Sequence, residues 1–241
     1  KSNNLTFYKM IRSLIFKFFF TLGLVSVCLI FLPAFVLPRK VALFGGKLLG
    51  YWSEICLNLF LSCKIEVLGK ENIINNDKFF IACSHQSMFE TFFLQTVFNS
   101  PIFILKKELI KIPVFGWYLK KIGSITIDRN KISKENLGFS EKIILAVKNS
   151  DRPIIIFPQG TRVDENYRGA FKKGASRIYD TLKIKCQPVA INSGIVWPKH
   201  GNLRPNKKIV VSILKPIEPN LNGTEFLKIL ENNIYSELDK F

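Results

Sequence analysis

The chain has 241 residues, 48% of them hydrophobic, so it can bury a full-sized core and does not belong to the disordered class. Its 35 basic and 18 acidic residues leave a net charge of +17, which calls for an anionic partner such as nucleic acid, acidic lipid or a phosphorylated metabolite. Nucleic acid is disfavoured by the lack of zinc-finger spacing, RNA-binding aromatics or a basic recognition helix, and five scattered cysteines without a CxxC argue against a disulfide framework.

Between Lys17 and Arg39 run 21 uncharged residues, FFFTLGLVSVCLIFLPAFVLP. As a helix they would extend roughly 31 Å, close to the hydrocarbon thickness of a bilayer. No small-residue A-x-A site follows, so a cleaved signal peptide is not expected. Pro33 is expected to bend this helix near its end and Pro38 to stop it. A second, more amphipathic helix is expected over 41–63, interrupted by Gly45, Gly46, Gly50 and Glu54, with Tyr51 and Trp52 suited to an interface. Lys9, Arg12 and Lys17 precede the first run and Arg39, Lys40 and Lys47 follow it, so charge gives no orientation for a complete span. A helical hairpin partly sunk into the cytoplasmic leaflet fits that symmetry; a single span and a buried helix pair in a soluble protein are the alternatives. The expected division is 1–63 for a membrane-associated hairpin and 64–241 for a globular domain.

From residue 64 the pattern changes. Short β-branched runs at 64–68, 78–84, 101–105, 123–127, 153–158, 187–191 and 207–214 read as strands. Helical patterns fall at 88–99, 113–121, 133–149, 169–181 and 223–240. Strands that are continuous apolar runs separated by helices imply a sheet covered on both faces. The expected fold class is α/β, a mixed, mostly parallel sheet flanked by helices, behind the hydrophobic two-helix segment. GxGxxG, GxxxxGK[ST] and GxSxG are absent, which argues against nucleotide binding and against an esterase elbow.

The stretch CSHQSMFETF, 83–92, sets His85 at a carboxyl-end strand-to-helix turn, where open α/β sheets place their ligands. Two readings compete there. In the structural one His85 is a core residue, and Ser87-Met88-Phe89-Glu90 is an S-x-x-E capping box with Glu90 reaching back to the Ser87 amide. In the functional one Glu90 fixes the tautomer of the imidazole, and His85 takes the proton of a substrate hydroxyl. The two are compatible, because a carboxylate in a first helical turn can also hold a neighbouring ring. No cysteine lies at a helix start beside a base, and Ser87 sits in the cap, so the attacking oxygen is expected on the substrate. Two histidines, Cys83 and one glutamate do not make a zinc set, and neither metal nor cofactor is expected.

Three further segments accompany this one. KKELIKIPVFGWYLKKIGSITIDR, 106–129, carries Lys107 and Gly116 and ends in Asp128-Arg129. Phe157-Pro158-Gln159-Gly160-Thr161-Arg162 is followed by Phe171-Lys172-Lys173-Gly174, and Gln187-Pro188-Val189-Ala190 continues through Asn192-Ser193-Gly194. In this order and spacing, with His85-x4-Glu90, the four segments resemble the glycerolipid acyltransferases, specifically the 1-acyl-sn-glycerol-3-phosphate (lysophosphatidate) acyltransferases. The usual acid of the first motif is aspartate, so Glu90 adds a methylene. The usual third motif is F-P-E-G-T-R, so Gln159 removes a charge.

The resemblance implies transfer of an acyl chain from acyl-CoA or acyl-carrier protein to the sn-2 hydroxyl of lysophosphatidate, on the cytoplasmic face of a membrane, the inner one if bacterial. His85 and Glu90 would be the catalytic pair. The acceptor's phosphate monoester needs cationic donors, and Arg162 leads the candidates because it offers a forked pair of N–H groups from a turn; Lys107, Arg129 and Lys173 follow. Gly160 and Gly174 are expected to permit close backbone approach, and Gly116, Thr161 and Pro188 to position backbone with the rest of their motifs. Lys106, Lys107, Lys111, Lys120 and Lys121, with Trp117 and Tyr118, would border an entrance at the headgroup plane, or form an ordinary amphipathic helix. The alternatives are an acyltransferase of the same scaffold acting on another lysolipid or on glycerol-3-phosphate, and a catalytically silent binder of anionic lipid.

Overall fold

No proline or glycine interrupts residues 2–22, and the chain is helical from Ser2 to Ile30 (α1). A computed structural model describes residues 2–127 and 138–241, with side chains from Phe7 onward. The start of α1 corrects the expected element: Lys9, Arg12 and Lys17 lie within the helix, not ahead of it. Pro33 opens a short 3-10 turn, Leu32–Phe35, and Pro38 caps α2, Arg39–Leu61. Proline removes a backbone donor and restricts the residue before it, so both breaks fall where the sequence puts them. Arg12 donates to Phe60 O at 2.7 Å, Ser62 Oγ at 2.7 Å and Asn206 Oδ1 at 3.3 Å. It thereby satisfies a carbonyl at the end of α2, where four such groups lack helical partners.

Seven strands follow: β1 Lys64–Leu68, β2 Phe79–Cys83, β3 Ile102–Lys106, β4 Ile125–Ile127, β5 Ile154–Ile156, β6 Lys185–Ile191 and β7 Lys208–Ile213. They form one sheet in the order β1-β7-β6-β2-β5-β3-β4. Every pairing is parallel except β6 with β7. The helices between them are α3 Phe89–Val97, α4 Phe115–Lys121, α5 Phe139–Lys148, α6 Gly174–Leu182 and α7 Gly223–Leu238. Residues 133–137 of the expected 133–149 helix lie outside the described residues. The helix expected from 169 begins at Gly174, because the backbone before it is committed elsewhere: Lys172 N–H donates to Pro158 O, and Phe171 N–H to Glu231 Oε2.

Side chains alternate across each strand, which sorts the core into two layers. Phe80, Ala82, Ile154, Ile156 and Cys186 face α5, α6 and α7, meeting Ile143, Ile178, Tyr179, Phe226 and Leu230. Ile81, Cys83, Ile155, Val189 and Ile191 face the other way, meeting Phe16 and Phe20 of α1, Leu57 and Leu61 of α2, and Phe89 and Phe93 of α3. One continuous core therefore crosses the expected boundary at residue 63. Each fully buried side chain of this size contributes about 1.5–3 kcal/mol.

The glycines that interrupt the second apolar run prove to be its contact surface. A Cβ at Gly50 would sit 2.7 Å from Phe92 O, and one at Gly46 2.4 Å from Gln95 Oε1, so α2 lies directly on α3. The opposite side of α1 is bare, with Leu14, Phe18, Leu22, Val25 and Leu29 exposed in a stripe at helical spacing. Phe7–Ile30 is long and apolar enough to cross a membrane, with a mean hydropathy of 2.2 and 17% of the stretch buried.

Candidate active site

Because β2, β3, β5 and β6 run parallel, their carboxyl ends share one edge of the sheet. His85 lies two residues beyond β2, Lys107 directly beyond β3, the Gln159–Arg162 turn beyond β5, and Asn192–Gly194 beyond β6. Open α/β sheets bind ligands along this edge. The sequence motifs, scattered along the chain, are thus brought together by topology.

His85 is half-buried, not sealed in the core. Its ring stacks on Phe157 with centroids 3.9 Å apart and planes inclined by 18°, and Phe157 in turn packs on Phe103 of β3. The His85 carbonyl accepts the Val163 N–H at 2.9 Å, which draws the residue beside Arg162 against the histidine loop. Stacking and this backbone bond restrict the ring's plane and position.

Glu90 is fully buried in the first turn of α3. Its carboxylate accepts the Gln86 amide at 2.8 Å, the Ser87 amide at 2.9 and 3.1 Å, and the Ser193 hydroxyl at 2.7 Å. Ser87 Oγ accepts the Phe89 amide at 3.1 Å. The carboxylate half of the expected capping box is therefore present, while the hydroxyl bonds a nearer amide than the motif implies. Burial lifts the Glu90 pKa to about 7, against the lowering effect of Ser193 and the backbone donors.

A second tie joins the same two segments: Gln86 Oε1 accepts the Gly194 amide at 3.0 Å. Ser84 Oγ both donates to Ile191 O and accepts from Ile191 N. Sequence reasoning quoted Ser193 and Gly194 but gave them no role, and it passed over Gln86. The available signal was a polar Asn-Ser-Gly directly after a buried strand.

Phe157 O accepts the Gly160 amide at 2.9 Å, closing a tight turn in which Gly160 takes φ +75°. Only glycine takes that conformation without strain. Arg162 is half-buried, and its guanidinium makes no hydrogen bond or ion pair among the described residues. Lys107 is half-buried at the start of the 3-10 turn Lys107–Lys111, whereas Lys173 and Thr161 are exposed. Arg129 lies outside the described residues. Gln159 is 3% exposed. Pro188 is buried within β6 opposite Ala82, and Gly116 is pressed onto Ile110, whose carbonyl oxygen lies 2.3 Å from where a Cβ would be.

Two expectations need correction. Nothing lies within 4 Å of a Cβ built at Gly174, so close approach does not explain that glycine. The expected entrance helix is partly committed: Tyr118 Oη donates to Cys28 O at 2.8 Å, and Lys121 Nζ to Phe35 O at 3.0 Å. Trp117 stays exposed while resting edge-on against Phe35. Thus α4 leans on the turn between α1 and α2. Among the described residues, no group of three or more His, Cys, Asp or Glu side chains is arranged to hold a metal ion.

Residues 64–192 match the family described as Acyltransferase. The chain belongs to this acyltransferase family. It is 34% identical over 140 residues to a Pseudomonas aeruginosa protein named 1-acyl-sn-glycerol-3-phosphate acyltransferase, covering 57% of this chain and 53% of that one. A Saccharomyces cerevisiae protein of the same name is 32% identical over 166 residues, 67% of this chain and 54% of its own. The match thus spans about half the length of these curated relatives. In fold, this acyltransferase-family chain resembles the crystal structure titled 1-acyl-sn-glycerophosphate (LPA) acyltransferase, PlsC, from Thermotoga maritima. The TM-score is 0.80 at 23% identity, covering 96% of this chain and 97% of that one.

Proposed function

We propose that the protein transfers an acyl chain from an acyl-CoA or acyl-carrier-protein thioester to the sn-2 hydroxyl of 1-acyl-sn-glycerol-3-phosphate, forming phosphatidate. The observation that carries this reading is the junction of the half-buried His85 with the loop of Arg162, through the Val163–His85 backbone bond. The names of the relatives support the same substrate class.

In this reading His85 takes the hydroxyl proton as the substrate oxygen attacks the thioester carbonyl. The tetrahedral intermediate collapses with cleavage of the C–S bond, and the departing thiolate receives the proton held by the imidazolium. Glu90 holds the loop that carries His85, and in its ionised form favours the charged ring. Phe157 keeps the ring in plane. Arg162 grips the acceptor's phosphate with a forked pair of N–H groups, assisted by Lys107, by Lys173 and by Arg129 from beyond the described residues. Backbone N–H groups of the surrounding turns receive the oxyanion.

The bare stripe of α1 and the exposed Trp117 suit a protein held on the cytoplasmic face of a membrane, where lysolipid and product both reside. The test is product identification by mass spectrometry, with purified protein in lipid supplied with lysophosphatidate and either acyl-CoA or acyl-carrier protein. Phosphatidate carrying the donor's chain is expected from the wild type and not from H85A. Acylation of other lysolipids but not of lysophosphatidate would overturn the acceptor.

A further inference from the structure

The segment that carries Arg162 is an Ω-shaped loop: Pro158 O accepts Lys172 N–H at 2.8 Å, closing its two ends on each other. One flank of this loop is bonded to His85. The other is held by one stripe along α7 and its C-cap, Glu231, Tyr235 and the capping Asp239, spaced by four and so stacked on one helix face.

Each of these side chains takes a different rung. Glu231 Oε2 accepts the Phe171 amide at 2.7 Å, and Tyr235 Oη donates to Gly169 O at 2.6 Å. Asp239 Oδ1 receives Arg168 from two nitrogens, at 2.9 and 2.8 Å. The Tyr235 ring also meets Phe171 edge-on at 5.0 Å and carries the Arg168 guanidinium 5.5 Å above it. Tyr235 and Phe171 are buried, whereas the Arg168–Asp239 pair stays exposed. All three residues lie beyond the 64–192 family match.

We infer that the Glu231–Tyr235–Asp239 stripe of α7 is a clamp that fixes the Arg162 loop in its acceptor-binding pose, making Tyr235 and Glu231 positioning residues for recognition of the acceptor phosphate. This rests on Arg162 being the phosphate partner. The clamp grips the loop at Arg168, Gly169 and Phe171, away from the Val163–His85 bond at its other flank, so its loss is expected to act on acceptor binding ahead of chemistry.

The test compares full-length wild type, Y235F, E231A, E231Q and R162A in lipid, by steady-state kinetics and by hydrogen exchange of backbone amides. Y235F and E231A are expected to speed exchange across 163–171 without affecting strand amides. They should raise acceptor KM about 10-fold with kcat and donor KM within about 2-fold, as displacement of a binding group remote from the chemistry does. E231Q keeps an acceptor oxygen for Phe171 N–H and is expected to restore both readings; a variant merely misfolded would not split KM from kcat. Unchanged exchange, or faster exchange with unchanged acceptor KM, overturns the clamp. If R162A raises acceptor KM while Y235F does not, the clamp alone fails. If R162A leaves acceptor KM unchanged, the phosphate reading fails and the clamp's role in recognition goes with it.

Discussion

At the scale of single residues, the site depends on a carboxylate held in an unfavourable medium. Glu90 is fully buried, and its pKa, raised from 4.5 to about 7, means that the folded protein keeps a proton there that the unfolded chain gives up. The sign follows: between about 4.5 and about 7 the native state binds more protons, so stability contributed by this group is present at low pH and declines as pH rises through that window. Denaturation in wild type and E90Q should therefore differ in pH slope over this range, by on the order of a few kcal/mol across it. With His85 as the proposed base, activity is expected to run the opposite way, because the ionised carboxylate is the form that favours an imidazolium. Ser193 is one of the donors that keep the Glu90 pKa from rising further. In S193A the acid limb of the kcat/KM profile should move to higher pH, while S193T, which keeps a hydroxyl, should shift it less. Replacing His85 by alanine should cost about 10³-fold or more in rate, with the circular-dichroism spectrum unchanged.

At the scale of elements, the hairpin supports the His85 turn from below. Gly46 and Gly50 let α2 rest on α3, and α3 begins with Phe89 and Glu90. G50L would drive a side chain into Phe92 O and Thr96, at a cost of about 1–3 kcal/mol or a shift of α3 that reaches Glu90. Thermal unfolding in detergent should register the first outcome and lost activity at full expression the second. Element boundaries were legible wherever side-chain chemistry alone sets them. The expected strand at 64–68 is β1 to the residue, since Lys-Ile-Glu-Val-Leu alternates and Gly69 ends it. The expected 153–158 shrinks to Ile154–Ile156 because Phe157 and Pro158 turn away toward the site. The helix from 169 was misread because its first residues are occupied by Pro158 and Glu231, which lie far away in sequence. Periodicity cannot register such a claim. The junction of His85 with Arg162 was foreseeable, since both follow apolar strands. The bonds of Ser193 to Glu90 and of Tyr235 to the Ω-loop were not, because they depend on strand order and helix placement that no local pattern carries.

At the scale of the whole molecule, α1 has two unlike sides. Phe16 and Phe20 are buried against Trp197 and Phe92, while the other side of the helix is bare. Removing residues 2–30 should uncover the layer of the core that backs Val189 and Ile191 and lower the midpoint of unfolding in detergent. F16A alone should cost about 3–5 kcal/mol by the cavity it leaves, read by chemical denaturation, while liposome binding stays intact.

Lys64 of β1 pairs with Lys208 of β7, and among the described residues β1 has no other neighbour in the sheet. During synthesis from the amino end, the hairpin and β1 emerge long before the residues that complete them, and Phe16 likewise precedes Trp197. The nascent chain must therefore keep an unpaired strand and a half-covered aromatic helix from sticking to other chains until Trp197 and β7 have been made. For such a chain, early capture of α1 by lipid would be protection during birth, before it is ever a means of reaching substrate.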